Sequence, residues 1–224
     1  MSLPTGTLQK CNALIPARSG SKRIKDKNLQ NIGGKSLIQW AVDVARECNM
    51  IERVVVSTES EHYAALATLW GAEVLMRPPE LASDLATDED VLGHFFEHFP
   101  CDLCVFLRPT TPFRDPALVE DAIRMMLNNR ADSLRSVEEM GESAWKTFEI
   151  VGDYLDPIVG SMHQANLPNQ ILRKTYRGNG YVDILRGPKW GNRVLAYITP
   201  RVIEIDTPED LEYARWWHQK KEAK

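Results

Sequence analysis

Four apolar runs, at residues 12–16, 52–57, 72–76 and 102–107, alternate with four stretches of helical period, at 36–48, 60–70, 89–98 and 116–129. This alternation constrains the chain more than any other feature. A short unbroken apolar run reads as a strand buried on both faces. In "SLIQWAVDVARE", Leu37, Ile38, Trp40, Ala41, Val44 and Ala45 instead form one helical stripe. Strand and helix in turn, with short connectors, build βαβ units whose sheet is covered on both sides. The expected fold class is α/β, a Rossmann-like three-layer αβα arrangement around a mostly parallel sheet. Ligands of such sheets bind beyond the carboxyl ends of the strands.

After about residue 132 the rhythm changes. "ADSLRSV" reads as a further strand, while residues 138–180 are irregular and polar, with β-like pieces such as "KTFEIV". That stretch is expected to be an inserted arm that covers the site or pairs with a second subunit. "YVDILR", "RVLAYIT" and "RVIEID" resume the strand pattern, and "TPEDLEYARWWHQKK" is a helix with Thr207 as N-cap, Pro208 in its first turn and Asp210 at N3. The expected organisation is one domain over 11–224, preceded by a flexible leader at 1–10.

The first strand runs into "ARSGSKRIKDKN", where Arg18, Lys22, Arg23, Lys25 and Lys27 face only Asp26. The whole 224-residue chain carries formal net charge −4, so this cationic loop is a local device, and general nucleic-acid binding, which needs a broad basic face, is not expected. Arg18 suits bidentate phosphate binding, Lys22 and Lys27 supply point charges, and Ser19 and Gly20 offer backbone donors. The spacing is not that of a Walker P-loop. A solvated basic loop is the plain alternative. No apolar run reaches the ~20 residues of a membrane span. The four cysteines, Cys11, Cys48, Cys101 and Cys104, have no disulfide-framework spacing, which is expected of reduced thiols in the cytoplasm.

Two further stretches carry candidate chemistry. In "VIEIDTPED", alternation along a strand puts Glu204 and Asp206 on one face and Ile205 on the other. Two such carboxylates suit Mg²⁺, a hard ion that takes oxygen ligands alongside phosphate, and a solvent-facing edge is the alternative. "FLRPTTPFRDP" stiffens a turn after a strand and aims Arg108, Thr110, Thr111 and Arg114 at either a ligand or mere packing. Three other motifs point to no chemistry: "HFFEH" lacks a third zinc ligand, "CDLC" lacks a second pair, and the two tryptophans 216–217 read as core or interface.

Taken in order, "IPARSGSKRIKDKNL", "RPPELASDLATDED", "LRPTTPFR", "YRGNGYVDI" and "IEIDTPEDLEYA" resemble five segments of the acylneuraminate cytidylyltransferase family, over residues 11 to 215. The resemblance implies the nucleotide-diphospho-sugar transferase type of fold. It also implies that the chain is a nucleotidyltransferase that joins a 2-keto-3-deoxy sugar acid to the nucleotide of CTP and releases pyrophosphate. Arg18, Lys27 and Asp206 would be catalytic, and Arg18, Ser19, Gly20, Lys22, Asn28, Arg77 and Asp88 would bind the nucleotide. Arg108, Lys146, Gln170, Arg177, Asn179 and Asp183 would face the sugar acid, and Asp206 with Glu204 would hold Mg²⁺. Family members are homodimers whose arm reaches the neighbouring subunit.

The chain departs from the family pattern at four of these positions. Arg108 replaces a Gln, Asp183 a Tyr, Glu204 the first metal Asp, and Asp88 aligns with a Ser. A carboxylate at 88 accepts from cytosine N4–H₂, or with both oxygens from the N1–H and N2–H₂ edge of guanine. GTP is therefore an alternative donor, sialic, legionaminic and pseudaminic acids are all candidate sugars, and a catalytically silent nucleotide-binding homologue is a further alternative.

Overall fold

The computed structural model describes residues 10–223; the expected leader, apart from Lys10, lies outside the described residues. Eleven strands appear there: β1 (Cys11–Pro16), β2 (Asn31–Ile32), β3 (Lys35–Ser36), β4 (Arg53–Thr58), β5 (Glu73–Met76), β6 (Leu103–Phe106), β7 (Ser133–Glu139), β8 (Phe148–Val151), β9 (Tyr154–Pro157), β10 (Tyr176–Leu185) and β11 (Val194–Ile198). The α-helices are α1 (Leu37–Glu47), α2 (Glu61–Leu69), α3 (Asp88–His98), α4 (Pro116–Leu127), α5 (Met162–Ala165) and α6 (Pro208–Glu222). Seven strands form one sheet in the order β11-β7-β10-β6-β1-β4-β5. Six run parallel and β10 runs against both β6 and β7. Among the described residues, no helix is long and apolar enough to cross a membrane.

Alternation along β1 sets the layers. Cys11, Ala13 and Ile15 join the core beneath α1, α2 and α4, whereas Leu14 joins Val91, Leu92, Phe95 and Phe99 around α3 on the opposite face. Each helix starts where its sequence supplies a cap. Ser36 accepts from Gln39 N, Ser60 from Tyr63 N, and Thr87 forms a capping box with Asp90. Thr207 and Asp210 repeat that box at α6, as their spacing predicts.

A third, smaller core positions the site. Ile24, Ile32 and Leu37 from the first loop and helix pack with Ile205, Leu211 and Ala214 from the end of the chain. Burying a side chain such as Ile205, which is fully buried, contributes about 2 kcal/mol. This core fastens the cationic loop to the segment bearing Glu204 and Asp206.

Two expectations are corrected. Residues 201–206 form no strand. Their backbone partners lie outside any ladder: Val202 N donates to Glu138 Oε2 at 3.1 Å and Ile205 N to the Thr110 carbonyl at 2.8 Å. The alternation survives without the sheet, with Ile205 buried between Glu204 and Asp206. The irregular arm is also shorter than 138–180, because Tyr176, Arg177 and Gly178 pair in the sheet with Glu139, Glu138 and Val137. Between them runs an excursion that carries the β8–β9 hairpin and α5.

Candidate active site

The cationic loop leaves β1 at the carboxyl edge of the sheet. Arg18 Nη1 donates to Asp84 Oδ1 at 2.8 Å and to the Ser83 carbonyl at 3.3 Å, and Lys22 Nζ pairs with the other Asp84 oxygen. Ser19 donates its N–H at 2.7 Å and its hydroxyl at 2.6 Å to Glu59 Oε1. Burial pushes the Glu59 carboxyl up, yet the two Ser19 hydrogen bonds, its own backbone N–H and the Arg77 charge together outweigh it and hold the group below the usual range. Asn28 Nδ2 grips the Arg18 carbonyl at 2.9 Å. A Cβ at Gly20 would meet no protein atom within 4 Å, so packing within the chain does not demand glycine there.

Lys27 Nζ reaches Asp206 Oδ1 at 2.9 Å. Each of these three cations therefore has an acid partner within the chain. Glu59 and Asp84 escaped the sequence reading. Glu59 follows β4 at the same sheet edge that points to the cationic loop, and Asp84 lies within "RPPELASDLATDED", so position alone was the signal.

A cavity of about 310 Å³ opens beside the loop, with Arg18, Lys27, Asn28, Arg77, Asp88 and Arg108 in its wall. Arg77 is buried and clamps its surroundings: Nε donates to Ser57 Oγ at 3.2 Å, Nη2 to the Ser57 carbonyl at 2.9 Å and Nη1 to the Leu81 carbonyl at 3.2 Å. Arg108 is held between two carboxylates, with Nη2 at 2.6 Å from Asp88 Oδ2 and Nη1 at 2.6 Å from Asp183 Oδ2. Burial opposes the Arg108 charge, and the two acids outweigh burial and raise its pKa. Asp183 is almost wholly buried in β10, where Arg135 Nε approaches its second oxygen at 3.5 Å. Three departures from the family pattern thus fall in one ion-paired chain.

Glu204 and Asp206 border an adjoining groove of about 1180 Å³ that also includes Arg177. Burial, and then the charge of Asp206, raise the pKa of Glu204. Glu204 is partly desolvated and repelled by Asp206, and a divalent cation between these hard oxygen donors would relieve that repulsion, so these residues fit Mg²⁺. No group of three or more His, Cys, Asp or Glu gathers among the described residues, so further ligands would have to come from substrate phosphate and water. Gly180 completes this edge with φ +64°, where a Cβ would lie 3.3 Å from Thr111 Oγ1 and 3.6 Å from Glu204 Oε1.

The residues expected to face the sugar acid are not gathered in one place. Arg177 borders the acid edge but donates to Glu138 Oε1 from Nε at 2.9 Å and Nη2 at 2.6 Å. Asn179 is buried, donates to Thr199 Oγ1 at 2.6 Å and accepts from Tyr181 N, so it secures the bulge in β10. Lys146 and Gln170 sit on the excursion and line neither cavity. Arg114 is a structural clamp, giving hydrogen bonds to the carbonyls of Arg108, Thr111, Gly180 and Tyr181. His94 and His98 of "HFFEH" meet edge to face on α3 with ring centroids 4.6 Å apart, and all four cysteines are free. Of the two tryptophans, Trp217 packs against Phe113 while Trp216 is exposed.

The chain is similar to known proteins in sequence and in fold. A family model described as "Cytidylyltransferase" matches residues 12–168. The chain is 38% identical over 114 residues to the N-acylneuraminate cytidylyltransferase of Escherichia coli O18:K1:H7, covering 50% of this chain and 27% of that one. It is 33% identical over 176 residues to the N-acylneuraminate cytidylyltransferase of Streptococcus agalactiae serotype V, covering 76% and 42%. It is 36% identical over 122 residues to the CMP-N,N'-diacetyllegionaminic acid synthase of Legionella pneumophila, covering 50% and 51%. These matches span between about a quarter and a half of the relatives' lengths. Among solved structures, CMP:2-keto-3-deoxy-manno-octonic acid synthetase complexed with CTP superposes with TM-score 0.75 at 20% identity, over 95% of this chain and 99% of that one. A 4-diphosphocytidyl-2C-methyl-D-erythritol synthase from Anaerococcus prevotii gives TM-score 0.67 at 11% identity, over 95% and 100%. At these identities the two structures establish the fold.

Proposed function

This chain belongs to the cytidylyltransferase family, and from that premise we propose that it is a nucleotidyltransferase that couples a 2-keto-3-deoxy sugar acid to the CMP portion of CTP. The observation that carries the proposal is the meeting of a cationic loop and an acidic edge at one end of the sheet, joined by Lys27 and Asp206 at 2.9 Å. The sugar's anomeric hydroxyl attacks the α-phosphorus, its proton is lost, and pyrophosphate leaves with the bonding electrons.

Little covalent chemistry falls to the protein in such a transfer, so positioning and charge stabilisation dominate. Arg18, Lys22 and Lys27 bind the triphosphate and stabilise charge building on the leaving pyrophosphate. Lys27 also holds Asp206 in place until substrate arrives. Asn28 and Glu59 fix the loop through the Arg18 carbonyl and Ser19. Glu204 and Asp206 would hold Mg²⁺, which when bound supplies Lewis-acid polarisation of phosphate oxygens. Arg177 lies beside this edge and suits the sugar's carboxylate.

Base choice turns on Asp88. Its Oδ2 is taken by Arg108, which leaves Oδ1 open. One free oxygen matches the single exocyclic amine of cytosine better than the paired donors of guanine, and this favours CTP. The sugar is of the nonulosonic type, of which sialic, legionaminic and pseudaminic acids are the candidates.

The domain spans 11–224, and the excursion between β7 and β10 serves as a homodimer contact. Its hairpin exposes Ile150, Tyr154 and Leu155, an apolar surface that a second copy would cover. Lys146 and Gln170 would then act on the partner's site. The protein works in the cytoplasm with free thiols, on small molecules rather than nucleic acid or membrane. Pyrophosphate release measured with each nucleoside triphosphate against a panel of sugar acids tests the reading. CTP-dependent release supports it, GTP-dependent release transfers the donor, and silence with every pair favours a non-catalytic nucleotide binder.

A further inference from the structure

Asp84 occupies the place of an anion. One carboxylate oxygen accepts from Arg18 Nη1 at 2.8 Å, and the other pairs with Lys22 Nζ. The Asp84 carboxyl titrates below its usual range because both cations bind it. No other acid pairs with either cation among the described residues.

The segment that carries Asp84 is anchored on both sides and free at its tip. Upstream, buried Arg77 holds the Leu81 carbonyl, and Ser83 Oγ donates to the Glu80 carbonyl at 2.9 Å. Downstream, the Thr87–Asp90 capping box fixes the start of α3. Leu85, next to Asp84, is 91% exposed. A shift of residues 84–86 moves the carboxylate off the cations, breaks only the long Ala86 N–H contact to the Ser83 carbonyl at 3.4 Å, and leaves both anchors in place.

We propose that Asp84 is an internal competitor for the phosphate cradle, a carboxylate that fills it between turnovers and that every incoming phosphate must displace. The proposal rests on reading Arg18 and Lys22 as phosphate ligands. Its consequence is a lower absolute affinity for any anion that contacts only the cradle. A nucleoside triphosphate recovers the loss through Arg77, Asp88 and the rest of the 310 Å³ cavity. Pyrophosphate, once cut from the nucleotide, has no such additional hold and is expelled as Asp84 returns. Both ion pairs are solvent-exposed and individually weak, so the latch opens readily and its effect on affinity is modest.

The experiment is a calorimetric titration of inorganic pyrophosphate, without divalent cation and at fixed ionic strength, into wild type and the variants Asp84→Asn, Asp84→Ala and Asp84→Glu. The expected result is binding about fivefold tighter for the Asn and Ala variants, with the Glu variant within about twofold of wild type. Unchanged or weaker binding in both neutral variants overturns the proposal, because Asp84 would then be idle or would prop Arg18 in its binding position. Arg18→Ala is the control for the underlying reading. If that variant binds pyrophosphate as wild type does, the cradle assignment itself falls, whatever the Asp84 variants do.

Discussion

Lys27 Nζ lies 2.9 Å from Asp206 Oδ1 and 3.2 Å from the Ile205 carbonyl, so one ammonium ties the first loop to a segment 179 residues away. If Asp206 serves both this contact and the cation, Asp206→Asn should lower kcat by about 10²- to 10³-fold. The dependence of rate on magnesium concentration should flatten as well. Pyrophosphate release followed across a magnesium titration checks both, and near-normal turnover would refute the assignment.

Glu204 predicts an exchange of stability for activity. The folded protein keeps the Glu204 proton to higher pH than the unfolded chain does, because of burial and the Asp206 charge. Within that window the native state binds more protons, so stability falls as pH rises through it and stays lower above it. Without divalent cation, Glu204→Gln should therefore melt above wild type at pH 7.5 and match it near pH 4. Its magnesium-dependent activity should be lost. Melting curves at the two pH values decide the first point.

Arg114 should prove structural rather than catalytic. Its guanidinium serves four carbonyls that Lys cannot serve together. Arg114→Lys should cost about 2–4 kcal/mol through carbonyls left unpaired, lowering Tm by roughly 5–15 °C. Thermal melts in saturating CTP and in its absence should fall together.

Asp88 should discriminate an amino group from a carbonyl oxygen on the base. A carboxylate repels the O4 of uracil and accepts from cytosine N4–H₂, whereas an amide tolerates both. Asp88→Asn should cut the preference for CTP over UTP about tenfold, read as the ratio of kcat/KM values. A ratio that does not move removes Asp88 from base selection.

The apolar hairpin predicts an oligomer that charge can split. Ile150→Asp combined with Leu155→Asp should give a monomer by sedimentation with an unchanged circular dichroism spectrum. If sugar-facing groups come from the partner, KM for the sugar acid should rise far more than KM for CTP. A double variant that sediments with wild type eliminates this surface as the contact.

The layered core was legible because strand and helix periods differ, and β1, with its alternate residues in two separate cores, obeys that pattern closely. The antiparallel direction of β10 was not, since its apolar run is the same read either way. "RVIEID" alternates like a strand, but only the folded chain reveals that its amides go to Glu138 and Thr110. In the site, cations announce themselves by clustering, so Arg18, Lys22 and Lys27 stood out in the sequence. The acids that hold this loop do not cluster: Asp84 and Asp206 pair with the cations and Glu59 with Ser19, from three distant segments. Asn179 illustrates the reverse error, since a polar residue in a motif is as easily spent on a bulge as on a ligand.

The small core that joins Ile24, Ile32 and Leu37 to Ile205, Leu211 and Ala214 also sets a timetable. A ribosome adding roughly 5–20 residues per second delivers the two halves of that core on the order of ten to thirty-five seconds apart. The parallel sheet from β1 to β6 has the material to assemble in the interval, while the cationic loop waits without the segment that fastens it. The loop is thus fastened only after residues 203–214 have been made, and a nascent or truncated chain lacking residues 200–214 should be well folded at its centre yet release no pyrophosphate.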